Sequence, residues 1–505
     1  MNKNGRMRKL LVSALIPLMF FLALASWGLS SAVGSSPDDE YHLASIWCGQ
    51  GLREGICEAG ASDETRVVPR VINERSSCYA YRPNQSAACE VPVVGETADT
   101  NRGNFAGGYP PVFYATMSVF VSADVSASVI LMRTANAFLF VGLASLLFFL
   151  LPRSRRDALV LGAMVSLVPL GMFLIPSTNP SSWAVISAVT LWVSLLGFFE
   201  TTSAKRKIAL GSLATLATLL GAGARGDAAV YGIVAMLAAM VLSFQKTRRY
   251  ALSCLLPLGL AIGSALLFLS AGQAAVLTPD AFDAGMTQDQ MLSLLVADLQ
   301  LLPELWVGAL GTWGLGWLDT PLPGIVWVTC VAIFSAMIFG GLTTSPPRKS
   351  IAFAGVFVSL IIIPMYILVN DRVIVGAFVQ PRYIYPLMIM LAGVALLQLD
   401  RSLLRFSWMQ LMSMASALSI ANAVALHINI RRYITGLDVG GFNLSNSPEW
   451  WWNLPIGPMG VWVIGAFSFA VALFGFAIYL RASERTDDTR DLARNLSVSR
   501  PLVSG

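Results

Sequence analysis

The chain alternates between long uncharged apolar runs and short charged turns. A bilayer core about 30 Å thick needs roughly 20 apolar helical residues per crossing. Leu10–Val33 carries no charge and follows Lys3, Arg6, Arg8 and Lys9. It is longer than the core of a signal peptide and no small-x-small cleavage site ends it before Ser35, so it reads as a retained first helix. Further runs lie near 132–151, 158–176, 182–199, 208–224, 228–244, 251–271, 323–343, 351–369, 383–399, 406–426 and 459–480. The pattern predicts an all-α polytopic integral membrane protein with about twelve transmembrane helices.

Charge placement orients them. Lys3–Lys9, Arg153–Arg156, Lys205–Lys207, Lys246–Arg249, Arg348–Lys349, Arg401–Arg405 and the tail from Arg481 fall on one side. The positive-inside rule makes that side cytoplasmic and places both termini there. The expected divisions are 1–33 (N-terminus and first helix), 34–109 (outer loop domain), 110–271 (helices 2 to 7) and 272–322 (interfacial loop). They continue with 323–426 (helices 8 to 11), 427–458 (outer loop), 459–480 (helix 12) and 481–505 (flexible cytoplasmic tail). Leu292, Leu295, Leu299, Trp306, Trp313 and Trp317 give the fourth division the look of helices lying in the membrane interface.

Composition supports this class and excludes others. Hydrophobic residues make up 55% of the 505 and charged residues only 12%, about half the usual charge density of a soluble chain. A soluble enzyme, a disordered scaffold and a nucleic-acid-binding protein are excluded. Four of six cysteines, Cys48, Cys57, Cys78 and Cys89, share the first outer loop. An even set in an oxidising compartment reads as disulfides. Three connectivities are open, and Cys48–Cys57 with Cys78–Cys89 closes the shortest loops.

Candidate chemistry collects on the outer side. Pro37-Asp38-Asp39-Glu40-Tyr41-His42 leaves the first helix with three successive acids, which repel unless solvent, a metal or a basic partner relieves them. Asp38 or Asp39 is a candidate general base for a hydroxyl acceptor. Alternatively, Asp38, Asp39 and His42 hold a divalent cation of the Mg²⁺ or Mn²⁺ kind. The loop closes with Gly107-Gly108-Tyr109-Pro110-Pro111, and Asn179-Pro180 reads as a helix start. Arg133, Arg225, Arg372 and Arg382 lie outside against the positive-inside bias. Guanidinium groups there suit a lipid phosphate; the alternative is pairing with outer acids such as Asp227 and Asp371.

These motifs resemble a known family. Pro37–His42, Tyr109-Pro110-Pro111, Asn179-Pro180 and Arg382-Tyr383-Ile384-Tyr385-Pro386 look like the bacterial DUF2142 membrane proteins, and more broadly like GT-C glycosyltransferases. The family's Asp-Glu-x-x-His maps onto Asp38, Asp39 and His42, with Asp39 in place of Glu. Its Gln-Gly-Arg-Tyr maps onto Gln380, Arg382 and Tyr383, with Pro381 in place of Gly. The resemblance implies a GT-C-like fold in a bacterial cell membrane and a polyprenyl-phosphate sugar donor. It also implies an envelope glycan, lipid or protein as acceptor. Asp38 and Asp39 would be catalytic. Glu40, His42, Tyr109, Arg133, Asn179, Arg225, Arg372, Gln380, Arg382 and Tyr383 would bind substrate. A transporter or flippase of lipid-linked glycans, and a non-catalytic envelope scaffold, are the alternatives. Against the transporter stands the near absence of charge inside the apolar runs.

Overall fold

The computed structural model describes residues 3–89, 95–277, 287–377, 379–399 and 406–498, with backbone alone for 3–13 and 483–498. The basic cluster expected at Arg401–Arg405 lies outside the described residues. The helices in chain order begin with α1 (Lys3–Leu29), α2 (Asp39–Trp47), α3 (Arg70–Tyr79), α4 (Val112–Met117), α5 (Val125–Leu150) and α6 (Arg153–Leu167). Then come α7 (Leu170–Leu174), α8 (Ser181–Glu200), α9 (Ala204–Ala222), α10 (Gly226–Leu242), α11 (Arg248–Ser253) and α12 (Leu255–Leu269). The series ends with α13 (Gln288–Val307), α14 (Gly324–Gly341), α15 (Pro347–Asp371), α16 (Pro381–Leu396), α17 (Trp408–Ile434) and α18 (Pro458–Val498).

Eight helices among the described residues are long and apolar enough to cross a membrane, and Ala14–Leu29, Gly226–Leu242 and Pro381–Leu396 are shorter apolar helices. The bundle buries α8 and α16 at its centre. Nearly every residue from Ser181 to Gly197 is buried, and so are most from Pro381 to Leu396. Close approach needs small residues here. A Cβ on Gly162 of α6 would fall 2.9 Å from the Gly393 Cα of α16, so glycine there lets the two backbones meet, while a Cβ on Gly393 would fall 2.4 Å from the Trp192 ring of α8.

Within the segment 272–322, Gln288–Thr312 forms one of the eight helices long and apolar enough to cross a membrane, with a π turn at Gly308–Thr312. The Val375 backbone N–H donates to Asp298 at 2.9 Å, and a Cβ on Gly308 would meet Pro381 at 2.6 Å. Asp298 therefore touches the connection between α15 and α16, and Gly308 the first residue of α16. At the C-terminal end α18 continues as helix through Val498.

The loop domain after α1 combines α2, α3 and a small antiparallel sheet of β1 (Glu58–Ala59), β2 (Arg66–Pro69) and β3 (Thr97–Thr100) in the order β1-β2-β3. The register pairs Glu58 with Val67 and Val67 with Asp99. Two disulfides, Cys48–Cys57 and Cys78–Cys89, staple it. It is fastened to the helices by Arg432 at the end of α17. That buried guanidinium donates to the Tyr79 carbonyl and to Asp319, each at 2.6 Å, and also to the Gln85 carbonyl. Trp317 Nε1 donates to Gly34 O at 2.9 Å, tying the 308–320 segment to the α1 exit.

Candidate functional site

The site forms where α1 ends and α2 begins. Asp38 precedes α2 with φ 61° and ψ 20°, in the left-handed region, and its side chain makes no capping bond to the helix. Asp is one of the few residues that visits this region without a large steric cost. The carboxylate is turned aside, 41% exposed, and meets Arg382 Nη2 at 2.6 Å. Arg382 comes from the first turn of α16 and is 4% exposed. Its Nη1 donates to the Pro37 carbonyl at 3.0 Å, and Asn179 Nδ2 donates to the same carbonyl at 2.9 Å. Asn179 Oδ1 accepts from the Ser181 N–H at 2.9 Å, as its expected capping role requires. One carbonyl thus draws the Asn179-Pro180 and Gln380–Tyr383 motifs onto the α1 exit.

The two neighbouring residues point elsewhere. Asp39 is fully buried, accepting from the Ser36 N–H at 3.1 Å and from the Thr178 hydroxyl at 3.1 Å. Burial pushes its carboxyl up to about 7, against the opposing pull of the Arg133 charge. His42 is buried as well, with Nδ1 3.0 Å from the Tyr114 hydroxyl and its ring edge-on to Tyr109 at 5.4 Å. Burial, then the charges of Arg382, Arg225 and Arg102, hold its imidazole well below the usual histidine range, so it stays neutral at pH 7.

A second guanidinium stands beside the first. Arg225, just before α10, pairs bidentately with Asp227 at 2.9 and 2.7 Å and donates to Ser181 Oγ at 3.2 Å. The Arg225 and Arg382 guanidinium carbons lie 4.8 and 5.0 Å from the centre of the Tyr383 ring, so one aromatic ring contacts both cations. Tyr109 lies 5.9 Å from Arg225. On the other flank, Arg102 Nη2 reaches Glu40 at 2.7 Å and Asp38 at 4.0 Å. Tyr41 donates to Asn104 Oδ1 at 3.2 Å, and its own hydroxyl is pushed up to about 12, chiefly by burial. Arg382 Nε, Gln380 Oε1 and Glu40 Oε2 are buried without a hydrogen-bond partner.

A profile described as a predicted membrane protein, DUF2142, matches residues 20–391. The chain belongs to the DUF2142 family. No curated protein matches it. The match spans every motif residue of the site, from Asp38 to Tyr383.

In this DUF2142 chain the sequence-derived candidates divide. Asp38, Glu40, His42, Tyr109, Asn179, Arg225, Arg382 and Tyr383 gather around the α1 exit. Arg133 is spoken for elsewhere. Its Nη1 donates to Gly28 O and Ser31 O at 2.9 and 2.6 Å, and its Nη2 to Ala32 O and Ser35 Oγ at 2.8 and 3.0 Å. It therefore satisfies the carbonyls left open where α1 ends. Gln380 is the residue before α16, and Arg372 caps α15 in left-handed backbone.

The expected metal trio does not converge. Asp38 faces Arg382, Asp39 faces Ser36 and Thr178, and His42 faces Tyr114. Successive positions at a helix start diverge by about 100°, so adjacent acids do not share a ligand sphere. Among the described residues no three His, Cys, Asp or Glu side chains form a group fit for a metal ion. Sequence reasoning missed Arg102, Asn104, Tyr114 and Thr178. Of these, Tyr114 closes the run that begins at Gly107-Gly108; Arg102 and Asn104 sit in a polar turn with no distinguishing signal.

Proposed function

We propose that this protein is an inverting, GT-C-like glycosyltransferase that uses a polyprenyl-phosphate-linked sugar at the extracytoplasmic membrane face. The observation that carries the reading is the half-exposed Asp38 carboxylate set against a pair of buried guanidinium groups, Arg382 and Arg225, that share the Tyr383 ring. Arginine's planar fork matches phosphate oxygens and keeps its charge under all relevant conditions. Asp38 accepts the proton of an acceptor hydroxyl as that oxygen bonds to the anomeric carbon. The bond from that carbon to the phosphate oxygen breaks, and polyprenyl phosphate departs with the electron pair. Arg382 and Arg225 stabilise the charge gained by the phosphate.

The metal-assisted version of this chemistry is set aside, because the donors it needs point apart. Asp39, buried and raised, serves as a hydrogen-bonded strut beneath Asp38. The acceptor is an envelope glycan, lipid or protein.

The reading is tested by profiling lipid-linked sugars and envelope sugars in cells lacking the gene, complemented with the wild type or with Asp38→Asn. An envelope sugar lost, and its polyprenyl-phosphate donor accumulated, in both the deletion and the Asp38→Asn strain supports transfer. Restoration of the profile by Asp38→Asn refutes the general base and favours transport of the lipid-linked sugar.

A further inference from the structure

A crevice far from this site has its own chemistry. It is lined by α1, α5, α6 and α18 and encloses about 130 Å³. Its walls are almost wholly apolar and include Pro17, Phe20, Phe140, Phe148, Ala163 and Tyr479. It sits toward the ends of α5 and α18 that are remote from the loop domain. At its rim Phe149 is 55% exposed, so the crevice opens where lipid surrounds the bundle.

The rim carries a cation. The Arg156 guanidinium carbon lies 5.0 Å from the centre of the Phe148 ring, and Phe148 in turn packs edge-on against Tyr479 at 5.3 Å. Arg156 Nε donates to the Leu151 carbonyl at 2.9 Å, which fixes the fork with its terminal nitrogens beyond that bond. The neighbouring Arg155 is committed otherwise, to Glu200 at 3.0 and 3.1 Å and to the Gln398 carbonyl. An apolar slot with an anchored guanidinium at its mouth matches an acyl chain ending in a phosphate. The positive-inside rule puts Arg153–Arg156 on the cytoplasmic side, where anionic lipids concentrate.

We propose that this crevice is a binding site for one anionic phospholipid, with an acyl chain between α1, α5, α6 and α18 and its phosphate on Arg156. The charge at the rim selects the headgroup, and the slot selects a single chain. Neither feature depends on sugar transfer at the opposite face.

The test is native mass spectrometry of the delipidated full chain titrated with phosphatidylglycerol or phosphatidylcholine of matched acyl chains. The wild type is expected to retain one phosphatidylglycerol about fivefold more tightly than phosphatidylcholine, the worth of one interfacial arginine. Arg156→Gln removes that preference and leaves the chain bound. Ala163→Phe fills the slot and lowers retention of both lipids, with thermal unfolding confirming that each variant is folded. Equal retention of the two lipids by the wild type overturns the proposal, as does a preference that survives Arg156→Gln. Displacement of phosphatidylglycerol by an equimolar polyprenyl phosphate also overturns it, in favour of a second isoprenoid site.

Discussion

Arg382 and Asp38, 344 residues apart in sequence, meet at 2.6 Å. One partner is nearly buried and the other is half open to solvent, so the pair presents a carboxylate oxygen at the surface while fixing its position from below. The same guanidinium holds the Pro37 carbonyl at 3.0 Å, which sets the turn that aims Asp38 away from α2. Geometry of this kind suits a group that must face an incoming hydroxyl.

A lysine at position 382 carries the charge but cannot span both Pro37 and Asp38. Arg382→Lys is expected to lower sugar transfer by roughly 10- to 100-fold, the loss of one charge-assisted hydrogen bond. Initial rates with the lipid-linked donor check this. A variant as active as the wild type shows that fork geometry is unimportant there.

The buried Asp39 makes a pH prediction. Its folded carboxyl titrates at about 7 against 3.8 when unperturbed. Between these values the folded chain holds a proton that the unfolded chain has released. Its stabilising effect is therefore full below about pH 4 and is lost as pH rises toward 7. Asp39→Asn is permanently neutral, so its unfolding midpoint in detergent gains on the wild type between pH 5 and 7. A constant difference across that range contradicts the assignment.

His42 slopes the other way. A folded imidazole held below its usual range favours the fold above about pH 6.5 and loses that contribution as pH falls. His42→Gln is expected to flatten the acid side of the stability profile, read from the same unfolding midpoints. An unchanged acid limb shows that His42 titrates normally.

Arg133 is a structural prediction. Arg133→Leu leaves the carbonyls of Gly28, Ser31 and Ala32 without their donor. It is expected to cost about 3 kcal/mol or more and to lower the unfolding midpoint and the expression level together. A stable Arg133→Leu protein that lacks only donor binding returns this residue to the substrate site.

Much of this was legible in sequence, and the failures have physical causes. Runs of apolar residues located the helices because lipid demands unbroken helical spans. Asp38 and Arg382 were visible as motif residues, although their pairing is not, since no local pattern links positions so far apart. Three successive acids look like one solvated cluster. The start of α2 instead sends Asp38 out, Asp39 inward to Thr178 and Glu40 toward Arg102. Arg133 looked like a phosphate ligand because an arginine near a helix end in an apolar run needs compensation. The compensation is the carbonyl end of α1, which sequence does not place beside it.

The most direct measurement is transfer by the purified chain in lipid nanodiscs, supplied with a polyprenyl-phosphate-linked sugar and an envelope-derived acceptor fraction. Release of polyprenyl phosphate and labelling of the acceptor are followed for the wild type and Asp38→Asn. The account predicts turnover by the wild type and a loss of at least about 100-fold in Asp38→Asn, with both proteins unfolding at similar temperatures. Undiminished transfer by Asp38→Asn, or no release of polyprenyl phosphate by a folded wild type across a panel of sugar donors, would contradict it.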